Sequence, residues 1–287
     1  MTFAWEGALE TMLGARTRAA SPLSGGDIND AFRVELDDGR AVFVKTNARA
    51  PRTMFAAEAR GLEWLREANA IRVPRVLGVG PSDAVPFLVL EYLTPARRTP
   101  NFDERLGRSL AALHRFGAPQ FGLDHDNFVG RLPQSNASAP TWSDFYRDRR
   151  LLPQVKLARD AGLLSASILR SVERLVRVLD DRVGAAEPPS RLHGDFWGGN
   201  LHVDEHGEPC LIDPAAYGGH REVDLAMMRL FGGFGDRVFS AYAEAFPHTD
   251  GHDDRVPLYQ LYPLLVHVNL FGGSYVASVE RALRDVV

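Results

Sequence analysis

Thiol chemistry is nearly missing from this sequence, whose one cysteine is Cys210. That excludes an intramolecular disulfide and any multi-cysteine metal site. No apolar run approaches the roughly 18 residues that a membrane-spanning helix needs. The opening MTFAWEGALETMLGA has neither a basic start nor a long apolar stretch, so no secretory signal is expected. Basic excess is missing as well: the formal net charge is −4, which leaves no electrostatic footprint for nucleic acid. There is no internal repeat and no low-complexity segment. These absences point to a cytoplasmic, reducing location, with neither nucleic acid nor membrane as a partner; the oligomeric state is open. What is present is a globular composition, 45% apolar and 24% charged over 287 residues, enough for one large domain or two lobes.

Two styles of sequence divide the chain. FAWEGALETMLG places Trp5, Leu9, Met12 and Leu13 at helical spacing and predicts a short helix. After a Ser/Pro/Gly stretch at 21–26, DAFRVELDDGRAVFVKTN gives two alternating runs around Asp38-Gly39, a hairpin signal. TMFAAEARGLEWLREA sets Met54, Ala57, Gly61, Leu62 and Leu65 on one face of an amphipathic helix. VPRVLGVGP and PFLVLEYL read as two more strands. Residues 1–93 are therefore expected to form a small β-rich lobe with one inserted helix.

From 94 to 287 the pattern is mainly helical. NFDERLGRSLAALHRFG opens on Asn101 with Glu104 three residues later, a capping-box-like start. A long helical stretch is expected over about 141–183, interrupted at Pro153 and Gly162. NLHV, the turn DEHG and PCLID read as a second hairpin, and everything after Arg221 reads as helical apart from Gly- and Pro-rich breaks. The expected fold class is α+β: a small β-rich N-terminal lobe joined to a larger, mainly helical C-terminal lobe.

Within the second part RLHGDFWGGN, from Arg191 to Asn200, needs explaining, because a plain surface turn does not account for its central tryptophan. Phosphoryl transfer needs a group that accepts the hydroxyl proton and oxygen ligands that hold Mg2+ on the ATP phosphates. Kinase catalytic loops supply an aspartate, four intervening residues and an asparagine. Asp195, Phe196 to Gly199 and Asn200 meet that spacing, with His193 two before the aspartate and Gly194 where protein kinases commonly carry arginine. A second metal-binding aspartate should follow across a short hairpin, and Asp213 in CLIDP stands there, thirteen positions after Asn200. A solvent-exposed turn plus an edge-strand acid would explain each element alone, but not their order with the hairpin between them.

The remaining parts belong to the first 93 residues. Lys45 ends the apolar strand VFVKT, where a lysine would ordinarily reach for solvent. Glu58 follows it by thirteen positions on the amphipathic helix. Such a Lys–Glu pair clamps the α- and β-phosphates in kinases. SGGDIND lacks G-x-G-x-x-G and is a phosphate cover only by its position. PFLVLEYLTP looks like the passage between lobes, where backbone groups of Glu91, Tyr92 and Leu93 could meet the adenine edge of ATP.

LHGDFWGGN, LIDPAAYGGHREVDLAMMRLFGGF, FGLDHDNFVGRLPQ, FYRDRRLLPQ and LYQLYPLLVHVNLFGGSY together resemble the fructosamine kinase family, over about residues 21 to 275. The family has the protein-kinase-like fold shared with aminoglycoside and choline phosphotransferases. The resemblance implies that Asp195 accepts the proton, that Asn200 and Asp213 bind the metal, and that Lys45 and Glu58 clamp the phosphates. It implies ATP and Mg2+ as cofactors, and phosphorylation of the 3-hydroxyl of small-molecule or protein-bound ketoamines, leading to deglycation. Asp27 departs from the cysteine that some members carry there, which argues against thiol-based redox control. Trp197 could form a wall against the sugar or wedge the loop. Glu222 could face the amine or be a helix N-terminal charge complementing the dipole. Asp224 could touch substrate or hold the loop through backbone N–H groups. His267 and Asn269 could meet hydroxyls, or His267 could be a satisfied core residue, while Phe231, Phe234 and Phe239 read as core. Another small-molecule hydroxyl kinase, such as one for aminoglycosides, and an inactive nucleotide-binding module are the alternatives; the four intact residues Lys45, Asp195, Asn200 and Asp213 argue against the second.

Overall fold

A computed structural model of the chain describes residues 3–24, 28–80 and 85–287. The first elements are α1 (Glu6–Leu13), β1 (Thr17–Leu23), β2 (Asp30–Leu36), β3 (Ala41–Thr46), α2 (Met54–Glu67), β4 (Val76–Val79) and β5 (Phe87–Glu91). Their strands form one antiparallel sheet in the order β1-β2-β3-β5-β4. The alternation in β2 and β3 is what buries Val34, Leu36, Val42 and Val44 against Trp5 and Leu9 on one face. Asp38-Gly39 makes the expected turn: Gly39 has φ +87°, and Asp38 Oδ1 accepts the Arg40 N–H at 3.0 Å. Strand β1 overlaps the Ser/Pro/Gly stretch and was not expected. It lies at the sheet edge with little burial, so it needs no hydrophobic alternation and tolerates Pro22.

The other face of the sheet packs on α2, whose buried residues include Met54, Ala57, Gly61, Leu62 and Leu65. Gly61 faces Ala216, where a Cβ would make an ordinary contact at 3.6 Å. One apolar cluster runs without a break from Phe55, Leu62 and Leu88 to Leu106, Phe196 and Leu211, so the sheet and the following helices share a core.

Beyond the sheet come α3 (Phe102–Phe116), α4 (Trp142–Phe145), α5 (Leu152–Asp160), α6 (Ala166–Arg182), α7 (Glu222–Phe231), α8 (Asp236–Ala245), α9 (His252–Phe271) and α10 (Val276–Val286). Three small strand pairs lie among them: β6 (Asn127–Val129) with β7 (Leu132–Gln134), β8 (Ser190–Leu192) with β11 (Tyr217–Gly219), and β9 (Leu201–Val203) with β10 (Pro209–Leu211). The hairpin expected around DEHG is β9–β10. The other two pairs were not anticipated, because three-residue strands carry no readable period. Asn101 precedes α3 but forms no capping bond; Glu104 pairs with Arg108 at 3.0 Å and Arg237 at 3.0 Å instead. At Pro153 the helix is distorted rather than ended: a π-helical turn over Tyr146–Leu151 precedes the proline and α5 continues from it. Likewise α9 runs through Pro257 and Pro263, held by burial along most of its length. No helix among the described residues is long and apolar enough to cross a membrane.

Candidate active site

Strand β3 carries Lys45 into the interior, and α2 brings Glu58 to meet it. Lys45 Nζ donates to both Glu58 oxygens, at 2.9 and 3.0 Å, and to Asp213 Oδ1 at 3.0 Å. Burial works against the Lys45 cation, but Asp213 and Glu58 outweigh it and keep the amine protonated. The solvated lysine of an isolated strand end is not what the structure shows.

The loop after β8 is shaped by its backbone. Gly194 has φ +81°, and a Cβ on it would lie 2.1 Å from the Ala215 carbonyl oxygen, so no arginine fits there. His193 is buried with a lowered pKa, first because of that burial, and its Nε2–H donates to Ile212 O at 2.9 Å. Its Nδ1 then accepts the Asp195 N–H at 3.2 Å. Asn200 Nδ2 donates to the Asp195 carbonyl at 2.7 Å and lies 3.3 Å from Asp195 Oδ2 and 3.4 Å from Asp213 O. Burial first, and then the Asp213 carboxylate, push Asp195 up to about 7. Asp213 itself turns out of β10 with φ +53°, a left-handed conformation that aspartate tolerates.

These residues share one cleft of about 1080 Å³, lined by Lys45, Glu58, Asp195, Asn200 and Asp213. Glu91, Tyr92 and Leu93 line it too. Of the hinge backbone, the Glu91 N–H is taken by Arg75 O at 3.0 Å and the Leu93 carbonyl by His202 Nε2 at 3.1 Å. The candidate phosphate cover falls partly on residues 25–27, Asp27 included, which lie outside the described residues.

The candidate substrate contacts divide. Trp197 lines the cleft with 43% of its surface exposed, its ring lying over Gly199. His267 lines it as well, its Nδ1–H donating to Pro263 O at 2.8 Å, and burial lowers its pKa, leaving a neutral ring. Asn269 is spent on Gln154, donating to its carbonyl at 3.0 Å and to Oε1 at 2.8 Å. Asp224 is buried behind the loop and accepts the N–H groups of His193 at 2.8 Å and Gly194 at 2.9 Å; it holds the loop rather than reaching the cleft. His114 Nε2 backs it at 3.2 Å, and Tyr242 OH stands 2.9 Å from His114 Nδ1. Phe231, read as core from the sequence, lines the cleft instead. Phe271 and Tyr275 line it as well, a placement that single aromatics at a helix end, with no periodic signal, do not reveal in the sequence.

Glu222 cannot face a substrate amine either. It is 1% exposed, and its two oxygens are held by Arg255 at 2.7 and 2.8 Å, with His252 3.2 Å away. Burial works against this carboxylate, but the Arg255 fork and His252 overcome it and hold the group down to about 2. Because the folded value is depressed, the stabilisation is complete above the ordinary value of 4.5 and is lost as pH falls toward 2. The shift corresponds to about 3 kcal/mol. Arg255→Met strands the buried charge, and thermal melts should show a loss on the order of 10 °C at neutral pH. The further drop of wild-type melting temperature between about pH 5 and 3 should be smaller in that variant.

A divalent ion fits the donors present. The Asp213 carboxylate faces the cleft with 40% of its side chain exposed, beside Asn200, whose amide nitrogen points to Asp195. That leaves the Asn200 Oδ1 as a second oxygen, and hard oxygen donors of this kind suit Mg2+, whose remaining positions are usually filled by phosphate and water. No group of three or more His, Cys, Asp or Glu able to hold a metal occurs among the described residues.

A cation that can hold phosphate oxygens, oxygen donors for a metal and a proton acceptor meet here around one open cleft beneath an antiparallel sheet. An ATP-dependent phosphotransferase with protein-kinase-like architecture is the class this defines. Comparison with known proteins narrows it. The fructosamine kinase family model matches residues 4–287. A probable ketoamine kinase of Enterococcus faecium is 37% identical over 269 residues, covering 92% of this chain and 94% of that protein. A crystal structure from Thermobifida fusca, provisionally assigned as a fructosamine-3-kinase, superposes with a TM-score of 0.90 at 40% identity, covering 98% of this chain and 97% of the other. A macrolide 2′-phosphotransferase type I, at 17% identity and TM-score 0.65 over 100% of this chain and 98% of its own, shares the fold. The chain belongs to the fructosamine kinase family.

Proposed function

We propose that the chain transfers the γ-phosphoryl group of magnesium-bound ATP to the 3-hydroxyl of ketoamines of the fructosamine or ribulosamine type. Elimination from the phosphorylated sugar then frees the amine, which makes the reaction a deglycation. The observation that carries this reading is Asp195: a carboxyl pushed up to about 7, set in the same cleft as Lys45 and Asp213 and flanked by Trp197 on the open side. The names given to the relatives agree with a ketoamine acceptor.

In this reading residues 1–93 are the nucleotide-binding lobe and 94–287 carry the catalytic loop and acceptor site. Lys45, held by Glu58, takes phosphate oxygens in exchange for its bond to Asp213. The Leu93 N–H is the hinge donor for adenine, since its carbonyl is engaged by His202. Asp213 and Asn200 hold Mg2+, which when bound neutralises charge building on the transferred group. Asp195 orients the 3-hydroxyl and accepts its proton. Asp224 keeps the loop in register through the His193 and Gly194 N–H groups.

Initial rates with ATP across ketoamines, free amines and aminoglycosides test the reading; turnover with aminoglycosides alone would overturn it. Trp197 supplies a sharper test. Its exposed ring can cover the C–H side of the sugar and meet the ammonium by cation–π attraction, worth about 0.5–2 kcal/mol. Trp197→Ala should raise KM for a ketoamine severalfold and leave KM for ATP and the melting temperature nearly unchanged. Equal damage to both substrates with a large fall in stability would mean that the ring only props the loop.

A further inference from the structure

Past Asp195 the cleft changes character. Phe231 ends α7, and the Gly232-Gly233 backbone that follows presses on Gly198 of the catalytic loop, where a Cβ would find both at 3.2 Å. The phenyl ring is thereby fixed beside the loop. His267 packs on it with ring centroids 4.5 Å apart, and Tyr275 and Phe271 stand 4.9 and 5.4 Å from the same imidazole. Phe271 keeps 47% of its surface exposed where it lines the cleft.

Charge is distributed the other way. Among the described residues that line the cleft, the carboxylates are Glu58, Glu91, Asp195 and Asp213, and the one Lys or Arg is Lys45. Glu58 is taken by Lys45, and Glu91 by Arg75 at 3.0 Å; Asp195 and Asp213 serve the reacting end. The aromatic end offers the Nε2 of His267, its Nδ1–H being committed to Pro263, and the hydroxyls of Ser274 and Tyr275, none of them charged.

We propose that Phe231, Phe271, Tyr275 and His267 form the subsite for the substituent on the ketoamine nitrogen, and that it selects adducts of amines with an uncharged apolar substituent over adducts of amino acids. The proposal rests on the ketoamine reading above. An aliphatic or aromatic substituent loses water-exposed area against these rings. A carboxylate or second ammonium there would shed its hydration without an opposite charge to replace it. The secondary ammonium of the ketoamine itself is compatible with the ring faces.

The test compares kcat/KM for the fructose adducts of benzylamine, of glycine and of lysine through its ε-amine. The benzylamine adduct should exceed the other two by about 10-fold or more, and in a Phe271→Ala/Tyr275→Ala variant that advantage should shrink to within about twofold. Phe271→Ala alone, a change at an exposed position, should shrink it in the same direction and covers the case of a double variant that folds poorly. Equal kcat/KM for the three adducts, or an advantage that survives both variants, overturns the subsite while the ketoamine reading stands. If none of the three is phosphorylated, the ketoamine reading itself fails and the subsite with it.

Discussion

Asp195→Asn is expected to lower turnover with a ketoamine by about 10²- to 10⁴-fold while ATP still binds. The amide keeps the shape of the carboxyl but cannot take the hydroxyl proton. The loop should survive the change, because its anchors are elsewhere: Asn200 Nδ2 donates to the Asp195 backbone carbonyl at 2.7 Å, and Asp224 holds the two preceding N–H groups. The same residue sets the pH dependence. Its raised pKa means that protonation disables it on the acid side, so the rate should fall as pH drops below about 7. A cation bound at Asp213 removes part of the charge that raises it, so saturating Mg2+ should move this limb to lower pH. Rapid-quench and steady-state measurements on both proteins check this; near-normal turnover in the variant would show that the proton leaves by another route.

The second large effect is at Asp213. In Mg2+, Asp213→Ala should weaken nucleotide binding by more than about 100-fold, beyond the loss typical of an outer-shell partner of a metal. With the metal chelated, the sign should reverse or vanish, since the change removes a negative charge that would face the triphosphate. Calorimetry with and without EDTA reads both arms. An affinity in Mg2+ equal to the wild type would make Asp213 a partner of Lys45 and no more.

The legible part of the site was the part built on rigid spacing. Asp195 and Asn200 sit in one loop, Asp213 lies across one hairpin, and Glu58 falls on the amphipathic helix after the strand of Lys45; the structure brings all five to one cleft. Local geometry of this kind is short-range and survives in a linear pattern. What failed depended on contacts distant in the chain. Glu222 follows the metal loop closely enough to look available, yet Arg255, thirty-three positions on, claims both its oxygens. Asn269 is likewise taken by Gln154, and the two readings of Asp224 were settled only by the position of the His193 and Gly194 amides. Phe231 reads as core because an aromatic near Phe234 and Phe239 usually is, yet as the last residue of α7 it lines the cleft. In the fold, the sheet was readable wherever one face is buried, and β1 was not, because an edge strand has no such face.

Lys45 has one more consequence. It and Lys156 are the only lysines in the chain. Sugars modify an amine through its lone pair, and only the neutral form has one to offer. Lys45 is 7% exposed, and its proton is fixed between Asp213 and Glu58 at 3.0 and 2.9 Å. The amine proposed to hold the phosphates is thereby a poor nucleophile toward reducing sugars. Under the deglycation proposed above, the amine assigned to the phosphates is itself kept out of the sugars' reach.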